Sequence, residues 1–312
     1  MSTPLPRPYP PNFFKIIEDV LEKEEKDRKP STELRHNPSS ASFVKSDGTV
    51  TGACLRQVYY RAIKQPESDK KKFSSKLQAG FGNAIHTWLL DKIKKSDKLK
   101  IQPEASGTYH HDELENIISY RLDGLVTHNG DVGGLEIKTQ MSYGLSRMLK
   151  EGGPKDSDLL QVLSYFGVND LIRWFSLCYV ARDTAFNAEF HLWKDPETDV
   201  VMIEGVYPRQ NPRPVKELTF NGSVSRWKEL ESAVKLNQLP PRDYKAVLTK
   251  EGVVTDKRVK NGVEYNTDWQ CGIAPIKLIV GLCLTLWKIQ KRWVCNETCH
   301  YYCPWYHSCR WY

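Results

Sequence analysis

The order of periodicities predicts an α/β or α+β fold, a run of paired strands flanked by helices. Three observations carry it. Residues 77–93 place Leu77, Phe81, Ile85, Trp88, Leu89 and Ile93 at helical spacing. The period then drops to two over 109–111, 117–123 and 134–139, with Asn129-Gly130-Asp131 as the turn between the last two. Helical spacing returns over 158–169.

The other elements follow in order. Residues 1–12 read as a Pro-rich arm, and 13–29 as an amphipathic helix with Phe13, Ile16, Ile17, Val20 and Leu21 on its apolar side. Residues 38–52, rich in Ser, Gly and Asp, read as loop, and 53–61 as helix. The stretch 64–76 is charged and reads as flexible, and a polar loop is expected around Gly152-Gly153-Pro154. Two more strands are expected over 175–193, meeting near Asp183 and Thr184. A helix over 224–236 is stopped by Pro240-Pro241. Residues 245–268 have no clear period and read as an exposed insertion, and a helix over 276–293 precedes a cysteine cluster. The expected divisions are an N-terminal arm and helix (1–35), a core (36–244), an insertion (245–270) and a C-terminal helix with the cysteines (271–312).

Composition narrows the class. Hydrophobic residues are 40% and charged residues 27% of 312, which excludes a wholly disordered chain. The 45 Lys and Arg against 38 Asp and Glu leave +7, which favours a polyanionic partner. The best membrane candidate, 278–287, is ten residues between Lys277 and Lys288, too short to span a bilayer. The N-terminus has no apolar signal core, so a soluble cytoplasmic protein is expected. Four of the eight cysteines fall in the last eighteen residues. In a reducing compartment, clustered thiols are metal or iron–sulfur ligands more often than disulfides.

The constellation that carries chemistry is Asp123, Glu136 and Lys138. Alternation puts Glu136 and Lys138 on one face and turns Ile137 to the other. A hairpin brings Asp123 to Glu136, and two adjacent carboxylates repel unless a cation sits between them. Lys138 beside them would orient the attacking water and stabilise charge developing on a phosphate. On its own the triplet reads first as three charges on the exposed face of a hairpin, because such triplets are common. His86, on the helix before the hairpin, is a candidate third ligand as a neutral imidazole. Gln161 and Tyr165, four apart, share a helix face.

The ordered set Cys54-Leu55-Arg56, Tyr59-Tyr60-Arg61, Gly82-x3-His86, Asp123-Gly124, Glu136-Ile137-Lys138, Gln161-x3-Tyr165 and terminal cysteines resembles the RecB-like branch of the PD-(D/E)XK nucleases. More narrowly, it is similar to the iron–sulfur members found in AddB, in CRISPR adaptation modules and in phage genomes. The resemblance implies a restriction-endonuclease-like core, a mixed central sheet flanked by helices, with an iron–sulfur subdomain joining the chain's two ends. It implies Mg²⁺ or Mn²⁺ on His86, Asp123, Glu136 and the Ile137 carbonyl, Lys138 as catalytic lysine, and Gln161 and Tyr165 lining the site. Leu122 stands where the family motif has Pro.

The family's cluster takes one N-terminal cysteine and a C-x2-C-x5-C run. Cys54, Cys303 and Cys309 fit, but His300 occupies the x2 position, and Cys299 lies one residue further back. The expected set is therefore Cys54, Cys299, Cys303 and Cys309 around a [4Fe–4S] cluster. Cys271, Cys295 and His300 are substitutes, and zinc on the C-terminal cysteines is the alternative. Cys178 and Cys283 lie in apolar runs and read as core.

Arg56, Tyr60 and Arg61 are candidate DNA contacts, cations interleaved with rings as single strands need. The aromatic tail reads instead as packing around the cluster. The expected activity is hydrolysis of DNA from its ends, exonucleolytic and on single strands, in recombination, repair, phage replication or CRISPR adaptation, alongside proteins of those pathways. The alternatives are a structure-selective or restriction-type endonuclease and a non-catalytic DNA-binding or scaffolding subunit.

Overall fold

In the computed structural model residues 13–27, 33–65, 73–215, 217–241 and 243 are described. The arm over 1–12, the insertion over 245–270, the helix over 276–293 and Cys299, Cys303 and Cys309 lie outside the described residues. The helices are α1 (Phe13–Asp27), α2 (Leu55–Ala62), α3 (Phe73–Ile93), α4 (Ser142–Lys150), α5 (Asp156–Val168) and α6 (Phe220–Lys235). The strands are β1 (Ser42–Val44), β2 (Val50–Gly52), β3 (Lys100–Pro103), β4 (Ser106–Tyr109), β5 (Ile118–Arg121) and β6 (Gly124–His128), then β7 (Asp131–Gln140), β8 (Trp174–Ala181), β9 (Asn187–Lys194), β10 (Val201–Tyr207) and β11 (Gln210–Pro214).

Seven strands make one mixed sheet in the order β11-β10-β9-β8-β7-β6-β3. Strands β7 and β8 pair in parallel, with Glu136 opposite Leu177, and the other neighbours are antiparallel. A parallel pair needs a crossover, and α4 and α5 provide it. Helix α5 is apolar nearly all round and is buried from Leu159 through Phe166, packing on Phe175, Leu177 and Phe190 of the sheet. Helix α3 covers part of the opposite face, where Leu90 meets Val126, Leu135 and Ile137. Among the described residues no helix is long and apolar enough to cross a membrane.

Several segments differ from the sequence expectation, among them β3, for which no element was expected, and the first turn of α3, which begins at Phe73 inside the stretch expected to be flexible. Residues 38–52 hold a short hairpin, β1 with β2, rather than loop. A Cβ on Gly52 would lie 2.3 Å from the Ala41 carbonyl oxygen, so only glycine allows that approach. The strand expected over 117–123 to form the hairpin is β5, which ends at Arg121 and pairs with β4 in a separate sheet, and the partner of β7 is a further strand, β6, that begins at Gly124. The alternation runs on through Leu122 and Asp123, so the change of sheet is invisible in it. Helix α4 and the pair β10–β11 had no sequence signal. Gly144 interrupts the one, and prolines 212 and 214 place β11 at the edge.

Helix α6 is tied to the N-terminal region by Glu231. Its Oε1 bonds His36 Nε2 at 2.8 Å and accepts from Asn116 N at 2.8 Å and Asn116 Nδ2 at 2.9 Å, while Oε2 accepts from Glu115 N at 3.0 Å. Burial alone would raise its pKa, but these bonds hold it below the ordinary 4.5. A depressed acid stabilises the fold above its unfolded pKa, and that contribution fades as pH falls below about 4.5. Glu231→Ala should therefore cost about 2–4 kcal/mol in urea unfolding at pH 7, with the gap to wild type narrowing under acid. A pH-independent gap would mean the carboxylate charge is not what the clamp uses.

Candidate active site

Strand β6 stops pairing with β7 at Gly124 opposite Leu135. From Glu136 onward that edge of β7 has no strand beside it among the described residues, and the residue before β6, Asp123, fills the gap. Its Oδ2 accepts from the Ile137 N–H at 2.7 Å. The N–H and C=O of one strand residue point to the same edge, so the Ile137 carbonyl is also turned toward this gap. Asp123 is thus held by the chain's own change of sheet at Leu122.

Helix α3 supplies His86. The helix lies against β7, and a Cβ on buried Gly82 would come within 2.9 Å of Thr139 Oγ1. One turn later His86 Nδ1 stands 3.5 Å from Asp123 Oδ2. The Gly82-x3-His86 spacing is therefore a close crossing followed by a side chain on the same face.

On the other face of β7, Glu136 and Lys138 meet α5. Lys138 Nζ donates to Glu136 Oε1 and to Gln161 Oε1, both at 2.7 Å. Gln161 Nε2 lies 2.8 Å from both Glu136 Oε1 and the Tyr165 hydroxyl. The Tyr165 hydroxyl donates to the Arg121 carbonyl at 2.8 Å, on the strand leading to Asp123. Its ring stacks on Phe175, centroids 5.5 Å apart, and Phe175 lies over Gly134, where a Cβ would come within 2.1 Å of it. The second glycine of Gly133-Gly134 thus seats the ring that seats Tyr165.

The sequence places Glu136 on a face but says nothing of its depth, and it is 5% exposed rather than solvent-facing. Burial, with Asp123 adding to it against the pull of Lys138, pushes its carboxyl up to about 7. Its Oε2 is buried with no hydrogen-bond partner in the structure. Burial pulls Lys138 down, but Glu136, Asp158 and Asp123 carry it above its ordinary value, so it is an ammonium and not a base. Asp158, which sequence reasoning missed, accepts from the Tyr179 hydroxyl at 2.8 Å one turn before Gln161.

The arrangement suits a hard divalent cation. A buried carboxylate with an orphaned oxygen, a second carboxylate and a backbone carbonyl toward the same gap are oxygen donors short of a positive charge. Among the described residues no group of three or more His, Cys, Asp or Glu side chains is placed to hold a metal ion, so the expected set of His86, Asp123 and Glu136 is not gathered as three ligands. Magnesium keeps most of its waters and needs only one or two protein carboxylates, a role open to Asp123 and Glu136.

A pH dependence follows. In metal-free protein the raised pKa of Glu136 means that its charge opposes folding, the cost growing as pH rises from about 4.5 to about 7. A cation must displace that proton, so Mn²⁺ affinity measured by calorimetry should be about tenfold weaker at pH 6 than at pH 8. Glu136→Gln should bind Mn²⁺ only weakly at either pH, and so show no such dependence. An equal affinity at both pH values in wild type would remove Glu136 from the ligand set.

The other site candidates fall elsewhere. Cys54 is buried at the N-terminus of α2, and Leu55 N beside it donates to Asp243 Oδ2 at 2.6 Å. Arg56 Nε donates to the Pro240 carbonyl at 2.7 Å, and Tyr60 packs on the cluster of Leu55, Tyr59 and Leu230. Arg56 is engaged with the segment after α6 and Tyr60 with the packing of α2 on α6, whereas Arg61 is exposed. Cys178 lines the second face of the sheet, its thiol pushed up to about 12 by burial.

No family model matches the chain, and no curated protein does. Among solved structures it is similar to SSO0001, at 16% identity over 74% of this chain and 87% of that one, with a TM-score of 0.41. It is also similar to the alkaline exonuclease LHK-Exo from Laribacter hongkongensis, at 13% identity over 59% and 80%, TM-score 0.35. For LHK-Exo in complex with dAMP the values are 12%, 59%, 78% and 0.37. At such scores the likeness carries no functional argument, which rests on the side chains of this chain.

Proposed function

We propose that the chain is a divalent-metal-dependent deoxyribonuclease of the RecB-like type that hydrolyses DNA from its ends. The observation that carries the reading is the buried, half-unpartnered Glu136 carboxylate beside Asp123 and Lys138. Asp123 and Glu136 would hold the ion, with the Ile137 carbonyl and His86 as further donors, and when bound it supplies an acidified water and a polarised phosphate. Lys138, fixed by Glu136 and Gln161, has a third N–H for a phosphate oxygen or the attacking water. Gln161 and Tyr165 hold Lys138 and the Asp123 strand in register. The +7 charge supports a polyanionic substrate. Digestion of end-labelled linear DNA against covalently closed circles, with Mn²⁺ and with chelator, tests it. Loss of linear DNA alone, stopped by chelator, is expected. Equal cutting of circles favours an endonuclease, and no cutting of either favours the scaffolding alternative.

The iron–sulfur reading stays part of the proposal. What supports it is Cys54, buried at the start of α2, where the next residue's N–H donates to Asp243. Protein purified without oxygen should be brown, with about four irons per chain, and Cys54→Ala should bleach it. Cys178→Ala should keep its colour. Colourless wild type with stoichiometric zinc, or full iron in Cys54→Ala, would overturn this part and leave the nuclease reading standing.

A further inference from the structure

Helix α3 covers β3, β6, β7 and the near side of β8, and the face of β8, β9 and β10 beyond it is open among the described residues. There the sheet floors a cavity of about 670 Å³, on the side away from Glu136 and Lys138. We propose that this cavity binds a small organic cation, an ammonium or amidinium head on a flat apolar body.

The size lies within the range of small-molecule pockets, roughly 300–1,000 Å³. Its apolar wall is built. Trp174 and Trp193 stand directly opposite each other on β8 and β9 and so share a face. Trp174 lies on Gly133, where a Cβ would come within 2.2 Å of ring atoms, so the glycine lets the indole rest on the backbone of β7. Indole faces attract cations.

The polar wall is anionic. Glu189 Oε1 accepts from Ser176 Oγ at 2.8 Å and bonds His191 Nε2 at 2.9 Å. Both bonds fall on one oxygen, which leaves Oε2 for a ligand. These bonds hold the carboxyl below its ordinary value against the opposing effect of burial. Glu204 stands opposite His191 on the same face, and Asp131 lies at the rim. His128 and His191 also line the cavity, but three carboxylates against two imidazoles favour a cation over a phosphate.

Benzamidine, benzamide and benzoate share one shape and differ in head charge, and calorimetry on the full-length protein at pH 8 separates them. Benzamidine should bind saturably, benzamide at least about tenfold more weakly, and benzoate not at all. Glu189→Gln, nearly isosteric, should weaken benzamidine about tenfold without changing DNA cleavage. If that variant fails to fold, Glu204→Gln serves in its place. Benzoate or benzamide binding as well as benzamidine, no saturable binding of any of the three, or full benzamidine affinity in the folded carboxylate variant would overturn the assignment. Because the two faces are separate, none of these outcomes bears on the nuclease reading.

Discussion

Glu136→Gln and Asp123→Asn should each lower Mn²⁺-dependent DNA cleavage by at least about a thousand-fold, roughly 4 kcal/mol of barrier. The reason differs between the two. Glu136 supplies the buried oxygen that finds no protein partner, and the amide that replaces it offers an N–H₂ to the ion or a weaker carbonyl. Asp123 also closes the Ile137 N–H, so its amide variant can keep the bond to β7 while losing charge. Both substitutions keep volume, so folding should survive. DNA binding without metal should hold or tighten slightly, since a negative charge near phosphate is gone. Near-wild-type cleavage in the double variant would sink the site assignment.

Lys138→Ala should cost catalysis about a hundred-fold or more while changing Mn²⁺ affinity little. The ammonium is carried by Glu136, Asp158 and Asp123, and it contacts Glu136 Oε1 while Oε2 is the unpartnered oxygen. Removing it strips a hydrogen bond from Glu136 but no donor from the ion. Lys138→Arg should not rescue, because a planar fork cannot place one compact charge between Glu136 and Gln161 at 2.7 Å from each. If metal titration placed the whole loss in Mn²⁺ affinity, the role given to Lys138 would be wrong.

How much of this was legible in the chain depends on the kind of signal. The β6–β7 hairpin is written in alternation and an Asn-Gly turn, and with it the placing of Asp123 beside β7, where it accepts from the Ile137 N–H between Glu136 and Lys138. Gln161 and Tyr165 follow from helical spacing, and the contact of Gln161 with Lys138 and of Tyr165 with Gln161 needs only that α5 pack on β7. The depth of Glu136 was not legible, because alternation assigns a face and not what covers it. Nor was the change of sheet at Leu122, since period two continues across it. The Trp174–Trp193 wall depends on the register of β8 with β9, which no local pattern states.

The most direct test of the central claim measures Mn²⁺ binding and cleavage of an end-labelled single strand on the same samples of wild type and Glu136→Gln. The account predicts saturable Mn²⁺ binding and chelator-sensitive cleavage in wild type, with both lost together in the variant while its thermal unfolding stays cooperative. Cleavage that persists in chelator, or Mn²⁺ bound with full affinity by Glu136→Gln, would contradict it.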